Sequence, residues 1–199
     1  MISSNILYNY FKSWKVFTFR DVKILFGNQL NDNAIKQLIH RNIKNKILYK
    51  ITTGIYTYSD NVMVYGFAFG DFYYGLGFAL DYYDMISQVM SPVIITTSKV
   101  RPGRRCINDK PIVIYRIKED MFFGYTFKKI NGIEVPISDL EKTLIDTVYY
   151  NFKLEQYVYG IIQQRLNYAK LNEYLKMCPK WLQKRVMKVL NKTYPIEHW

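Results

Sequence analysis

Asn33, Lys36, Gln37, His40, Arg41 and Lys44 fall within twelve residues at spacings that put them on one side of a helix. Amide side chains pair with the edge of adenine, and Arg or Lys pairs with guanine edges and with phosphates. The chemistry such a face can do is recognition of a duplex groove. Arg20, Lys50, Thr52 and Thr53, with Thr18 beside them, are placed to touch the flanking sugar-phosphate backbone. A second basic group surrounds a Pro-Gly turn, with Arg101, Arg104 and Arg105 in a loop. A third, Lys180, Lys184, Arg185 and Lys188, forms a stripe on a C-terminal helix, opposite Trp181, Val186, Val189 and Leu190. These last two groups are a possible second contact with the same nucleic acid, or the solvated backs of a loop and a helix.

Catalytic combinations are weaker. Glu141 and Asp146 are five residues apart, which turns them about 140° from each other on a helix, so they do not face a common metal. Ser138 and Glu141 have the spacing of a capping box. Glu119 and Asp120 beside Lys118 loosely resemble a metal-nuclease cluster and read as a solvated strand end. The two histidines are His40 and His198, and the glycines between 66 and 77 precede no Lys-Ser/Thr pair, so no phosphate loop is expected. No catalytic residue, metal site or cofactor is assigned. Cys106 and Cys178 are lone, which predicts free thiols and fits a reducing cytoplasm.

The elements that must hold the first group are legible. Ser3 or Ser4 can cap a helix carrying Ile6, Leu7, Tyr10 and Phe11. Thr18 can cap a second, with Asp21 three residues on, the stripe Phe19, Val22, Leu25 and Phe26, and Gly27 as its stop. Asn31 or Asp32 starts the third, whose packed face is Ile35, Leu38, Ile39 and Ile43. "ILYKI" and "GIYTY" then form a hairpin around Gly54. Three helices and a hairpin in this order predict a winged helix-turn-helix over 1–58.

Beyond a linker at 59–61 the composition changes. Residues 71–86 are expected to be a helix started by Asp71, with Gly75 and Gly77 allowing close packing. "VIITTS" and "KPIVIYRI" read as strands, and Asn131-Gly132 marks a type I′ hairpin. A helix from the Ser138 cap carries Leu140, Leu144, Ile145 and Val148, and three more helices end the chain. The expected fold class is therefore α+β: the winged helix, then a small, mostly antiparallel sheet packed with helices over 62–199.

Charge supports an anionic partner. The net formal charge is +12, and it is concentrated at the ends. Residues 1–58 carry nine Lys/Arg against two Asp, and 151–199 nine against three Glu, whereas 59–100 carry one against four Asp. The apolar stretch Val62–Leu80 holds Asp71 and four glycines and has no basic flank, so it is expected to be buried in protein rather than to span a membrane. The start of the chain lacks the pattern of a signal peptide, and a cytoplasmic location is expected.

The order of parts resembles the AbiEi family of antitoxin-like transcriptional regulators of abortive-infection systems. Four pieces carry it: the helix-and-wing segment ending in "GIYTY", the segment "YYGLGFALDYYDMI", the strand "VIITTS" before the basic "RPGRR", and "EVPISDLEKTLIDTVYY". In the last, Glu141, Lys142 and Asp146 match the family's Glu-Lys and Asp positions. Phe78 departs from the small residue that the family often has before Ala79-Leu80. The resemblance implies an autorepressing, antitoxin-like protein of a toxin–antitoxin system. It would bind double-stranded DNA at its own promoter, often at inverted repeats, and its toxin would resemble a nucleotidyltransferase. The alternative from the residues is a nucleic-acid-processing enzyme, with a metal-dependent, nuclease-like second domain and a winged helix that only docks substrate. A third reading is an adaptor whose winged helix binds protein.

Overall fold

The structure is a computed structural model, and it describes residues 2–88 and 90–193. Its N-terminal part contains α1 (Ile2–Phe11), β1 (Phe17–Thr18), α2 (Phe19–Phe26), α3 (Asp32–Lys44), β2 (Tyr49–Thr52) and β3 (Ile55–Thr57). The local chemistry sets each boundary. The Thr18 hydroxyl accepts from the Asp21 amide while the Asp21 carboxylate accepts from the Thr18 amide, a complete capping box. Asn31 caps α3 through the Ala34 amide. Gly54, at φ +75°, makes the turn between β2 and β3. The three strands form an antiparallel sheet in the order β1-β3-β2.

This sheet closes over an apolar cluster drawn wholly from residues 7–58. Leu7, Phe11, Phe17, Val22 and Ile35 are sealed from solvent, and the Phe11 and Phe17 rings stack 4.2 Å apart. Ser3 and Ser4 do not cap α1, which already includes them. Ser4 Oγ instead accepts from Asn42 Nδ2, a polar group buried between α1 and α3.

The second part is built on β4 (Phe72–Tyr74), β5 (Val93–Thr96), β6 (Gly103–Ile107), β7 (Lys110–Arg116), β8 (Tyr125–Ile130) and β9 (Ile133–Ser138). The strand order is β6-β7-β5-β4-β9-β8, with β5–β7 and β4–β9 parallel and the other three pairings antiparallel. The chain is thus α+β, but the sheet is six-stranded and mixed, larger than the small, mostly antiparallel one expected. The difference starts at residues 72–74, expected to be helical. Phe72, Tyr73 and Tyr74 are all buried and form a strand in the interior of the sheet, where both faces are covered and the apolar run is continuous. Only Gly77–Tyr82 is helical there (α4). The segment Val62–Phe69 is a buried 3-10 helix, and no helix of the described residues is long and apolar enough to cross a membrane. The turn at Asn131 (φ +48°) and Gly132 (φ +81°) is the expected I′ geometry.

Alternation along the strands divides two cores. Tyr73, Val93 and Ile95 face a layer of helices: α5 (Leu140–Tyr149), α6 (Gln156–Arg165), α7 (Tyr168–Met177) and α8 (Lys180–Thr193). Phe72, Tyr74, Ile94, Ile112, Ile114, Val135 and Ile137 face the opposite way, onto the 3-10 helix. Ile51, Val16 and Ile55 of the N-terminal part pack on that same face. Lys15 seals the contact, its ammonium 4.0 Å from the centre of the Phe67 ring and within 3.3 Å of the Glu134 carbonyl. The sheet therefore separates the N-terminal part from α5–α8.

Candidate nucleic-acid interface

Helix α3 presents the expected surface. Ile35, Leu38 and Ile39 are buried, while Asn33, Lys36, Gln37, His40, Arg41 and Lys44 are all exposed. None of these six side chains makes a hydrogen bond or ion pair with another of the described residues. The one carboxylate of the helix, Asp32, lies at its N-terminal end, where it pairs with Lys23 at 2.9 Å. Asn42, which the spacing did not single out, is buried and donates to the Leu38 carbonyl at 2.8 Å. It fixes α3 against α1 rather than facing outward. Gln37 and Arg41, with Ser3, Leu30, Ala34 and Leu38, line an open hollow of about 380 Å³.

Around this helix Arg20, Lys50 and Thr53 are exposed, and Thr52 is half-buried beside an irregularity in the β2–β3 register. The Thr18 hydroxyl donates to Asp21 Oδ2 at 2.7 Å and accepts from the Asp21 amide, so it is engaged in the cap of α2.

The residues expected in a second contact are not brought together. Arg104 and Arg105 lie in β6, the edge strand, and not in a loop. Arg105 donates to the Arg101 carbonyl at 2.8 Å and lies 5.5 Å from the Phe69 ring centre, on the face of the N-terminal part. Lys180, Lys184, Arg185 and Lys188 are exposed on α8, across the sheet from that face. Trp181, expected on the buried side of α8, is 49% exposed and stacks on Tyr149.

Glu141, Lys142 and Asp146 are buried, and they point to different partners. Lys142 and Asp146 form an ion pair one turn apart with neither side chain exposed. Asp146 also accepts from the Tyr73 hydroxyl at 2.8 Å. Burial raises the Asp146 carboxyl above the usual carboxylate range, against the charge and hydrogen bond of Lys142. Glu141 instead accepts from the Asn167 amide at 2.8 Å and faces Lys170 at 3.4 Å. Ser138 is not the cap of α5. Asp139 is, through the Lys142 amide, and its other carboxylate oxygen holds Lys170 and the Tyr174 hydroxyl at 2.8 Å each. The acidic side chains of α5 are spent on structure: Glu141 ties α5 to the start of α7, and Asp146 ties it to β4. The buried partner that the sequence did not mark is Tyr73, whose only signal was its place in an unbroken apolar run.

No family model matches the chain, and no curated protein matches it.

Proposed function

We propose that the protein is a sequence-specific DNA-binding transcription regulator whose N-terminal part is a winged helix-turn-helix. In this reading α3 enters the major groove, and the β2–β3 hairpin is a wing that rests on the adjacent backbone. The observation that carries it is the outer face of α3, with six exposed polar or cationic side chains that have no partner among the described residues. Asn33, Gln37 and Arg41 would read base edges, with Lys36, His40 and Lys44 beside them. Arg20, Lys50 and Thr53 would position the backbone. The helix order, the caps at Thr18 and Asn31 and the charge of residues 1–58 support the same reading.

The resemblance to AbiEi-type regulators makes an autorepressing, antitoxin-like role in the cytoplasm the specific form of the proposal. It has a nucleotidyltransferase-like toxin as its counterpart, and residues 62–199 as a second, non-catalytic domain. The test is fluorescence-anisotropy binding to the protein's own upstream DNA and to a scrambled duplex across a salt series. A preference for the upstream duplex that survives physiological salt is expected. Equal affinities that collapse together with salt would overturn sequence-specific recognition, and divalent-metal-dependent cleavage of either duplex would overturn the non-catalytic role.

A further inference from the structure

The outer face of α8 is a cationic feature that the reading above leaves unused. Lys180, Lys184, Arg185 and Lys188 are exposed along it, and the helix contains no Asp or Glu. Its opposite face (Leu182, Val186 and Leu190) is buried in the helical core, so the three lysines point away from the sheet, while Arg185 on the flank donates to Asn151 Oδ1 at 2.9 Å. Helix α5, buried from Leu140 to Val148, lies between the sheet and α8. The N-terminal part packs on the other side of that sheet. A duplex seated on α3 would have to bend around the sheet edge to reach α8.

We infer that α8 is a second nucleic-acid-binding face that holds the phosphate backbone of a separate duplex, so that one molecule bridges two segments. Lys180, Lys184 and Lys188 recur every four residues, a rise of about 6 Å per step, close to the interval between successive phosphates of one strand. A row of cations with no intervening carboxylate is complementary in charge to a polyanion, and a phosphate backbone is the polyanion that the reading of α3 already calls for. Trp181 is 49% exposed and is held in place by its stack on Tyr149, with ring centres 6.0 Å apart and planes 27° apart. It offers an ordered apolar surface at the edge of the cationic row. Lys184, Met187, Lys188 and Asn191 line a shallow hollow beside it.

The bridging rests on the reading of α3, and the experiment separates the two. The full chain is loaded on a tethered upstream duplex, washed, and offered a labelled duplex of unrelated sequence. Lys180→Gln/Lys184→Gln/Lys188→Gln should load as the unchanged protein does and capture the second duplex about tenfold less well at moderate salt. Undiminished capture by this variant, or no capture by the unchanged protein, overturns the inference. Polyglutamate that displaces the second duplex as well as nucleic acid does, at equal charge, also overturns it in favour of a face for acidic proteins. Lys36→Ala/Arg41→Ala reports on α3 alone. If its loading is unchanged, the α3 reading fails, while capture by α8 can still be measured.

Discussion

Lys142 and Asp146 form an ion pair that is closed off from solvent at both ends, beneath the rings of Tyr73 and Phe123. The lysine ammonium lies 5.5 Å and 4.9 Å from the two ring centres. The carboxylate is completed by the Tyr73 hydroxyl from the middle of the sheet. The pair thus joins α5 to β4, and its charge has no other outlet. Lys142→Met leaves Asp146 buried without its cation and should lower stability by about 3–5 kcal/mol. Lys142→Met/Asp146→Leu should recover most of that loss. Urea titration of both variants checks this, and a double variant as weak as the single one would show that the pair is not the cause.

Gly124 is required by the same cluster. At φ +71° its backbone is left-handed, and a Cβ there would sit 2.7 Å from Lys142 Cβ and 2.9 Å from the Tyr174 ring. Gly124→Ala should therefore lower stability by about 1–3 kcal/mol, read as a shift of the urea midpoint. Gly132→Ala has open space around its Cβ and only the strain of φ +81° to bear, so it should cost less.

At the N-terminal part the cap is the weak point that a single atom controls. Thr18→Ala removes the hydroxyl that accepts from the Asp21 amide and should cost about 0.5–2 kcal/mol. Thr18→Ser should stay near the parent. Thermal unfolding followed by circular dichroism distinguishes them. DNA affinity measured well below the transition should be the same in both, because Thr18 faces its cap.

Groove reading and backbone contact should respond differently to substitution. Arg41→Ala should weaken binding to the upstream duplex by about 1–3 kcal/mol and spare the scrambled one. Lys50→Ala should weaken both alike and make the salt dependence shallower by about one unit of log–log slope. Anisotropy titrations at several salt concentrations check both. A uniform loss with Arg41→Ala would assign it to phosphate rather than to bases.

The two thiols differ in a way that labelling can read. Cys106 is exposed on β6, while Cys178 is buried and its thiol donates to the Tyr174 carbonyl at 3.3 Å. Burial pushes the Cys178 thiol up to about 11. Because the thiolate is the reactive form, a maleimide at neutral pH should modify one site in the folded protein and two in denaturant. Mass spectrometry should place the first label on Cys106.

Much of the local structure could be read from short stretches of sequence because nearby residues decide it. The cap Thr18 with Asp21, the Asn31 cap, the apolar stripe of α3 and the Asn131-Gly132 turn each depend on backbone chemistry within four residues. The outward face of α3 follows from the same periodicity, which is why its six side chains are found exposed. Pairing at a distance decided the rest. Phe72–Tyr74 was legible only as an apolar run, and it became an interior strand because Val93–Thr96 and Ile137 supply its hydrogen-bonding neighbours. The cap of α5 fell to Asp139, since Ser138 is the last residue of β9 and its hydroxyl is engaged with Thr143. Lys142 and Asp146 stand one helical turn apart in the sequence, and packing of α5 against Tyr73 and Phe123 is what sealed them into a buried ion pair. The sequence by itself determined where the basic surfaces lie along the chain. Only the tertiary structure decided that α3 and α8 are on opposite sides of one sheet, because alternate residues of its strands bury toward different layers.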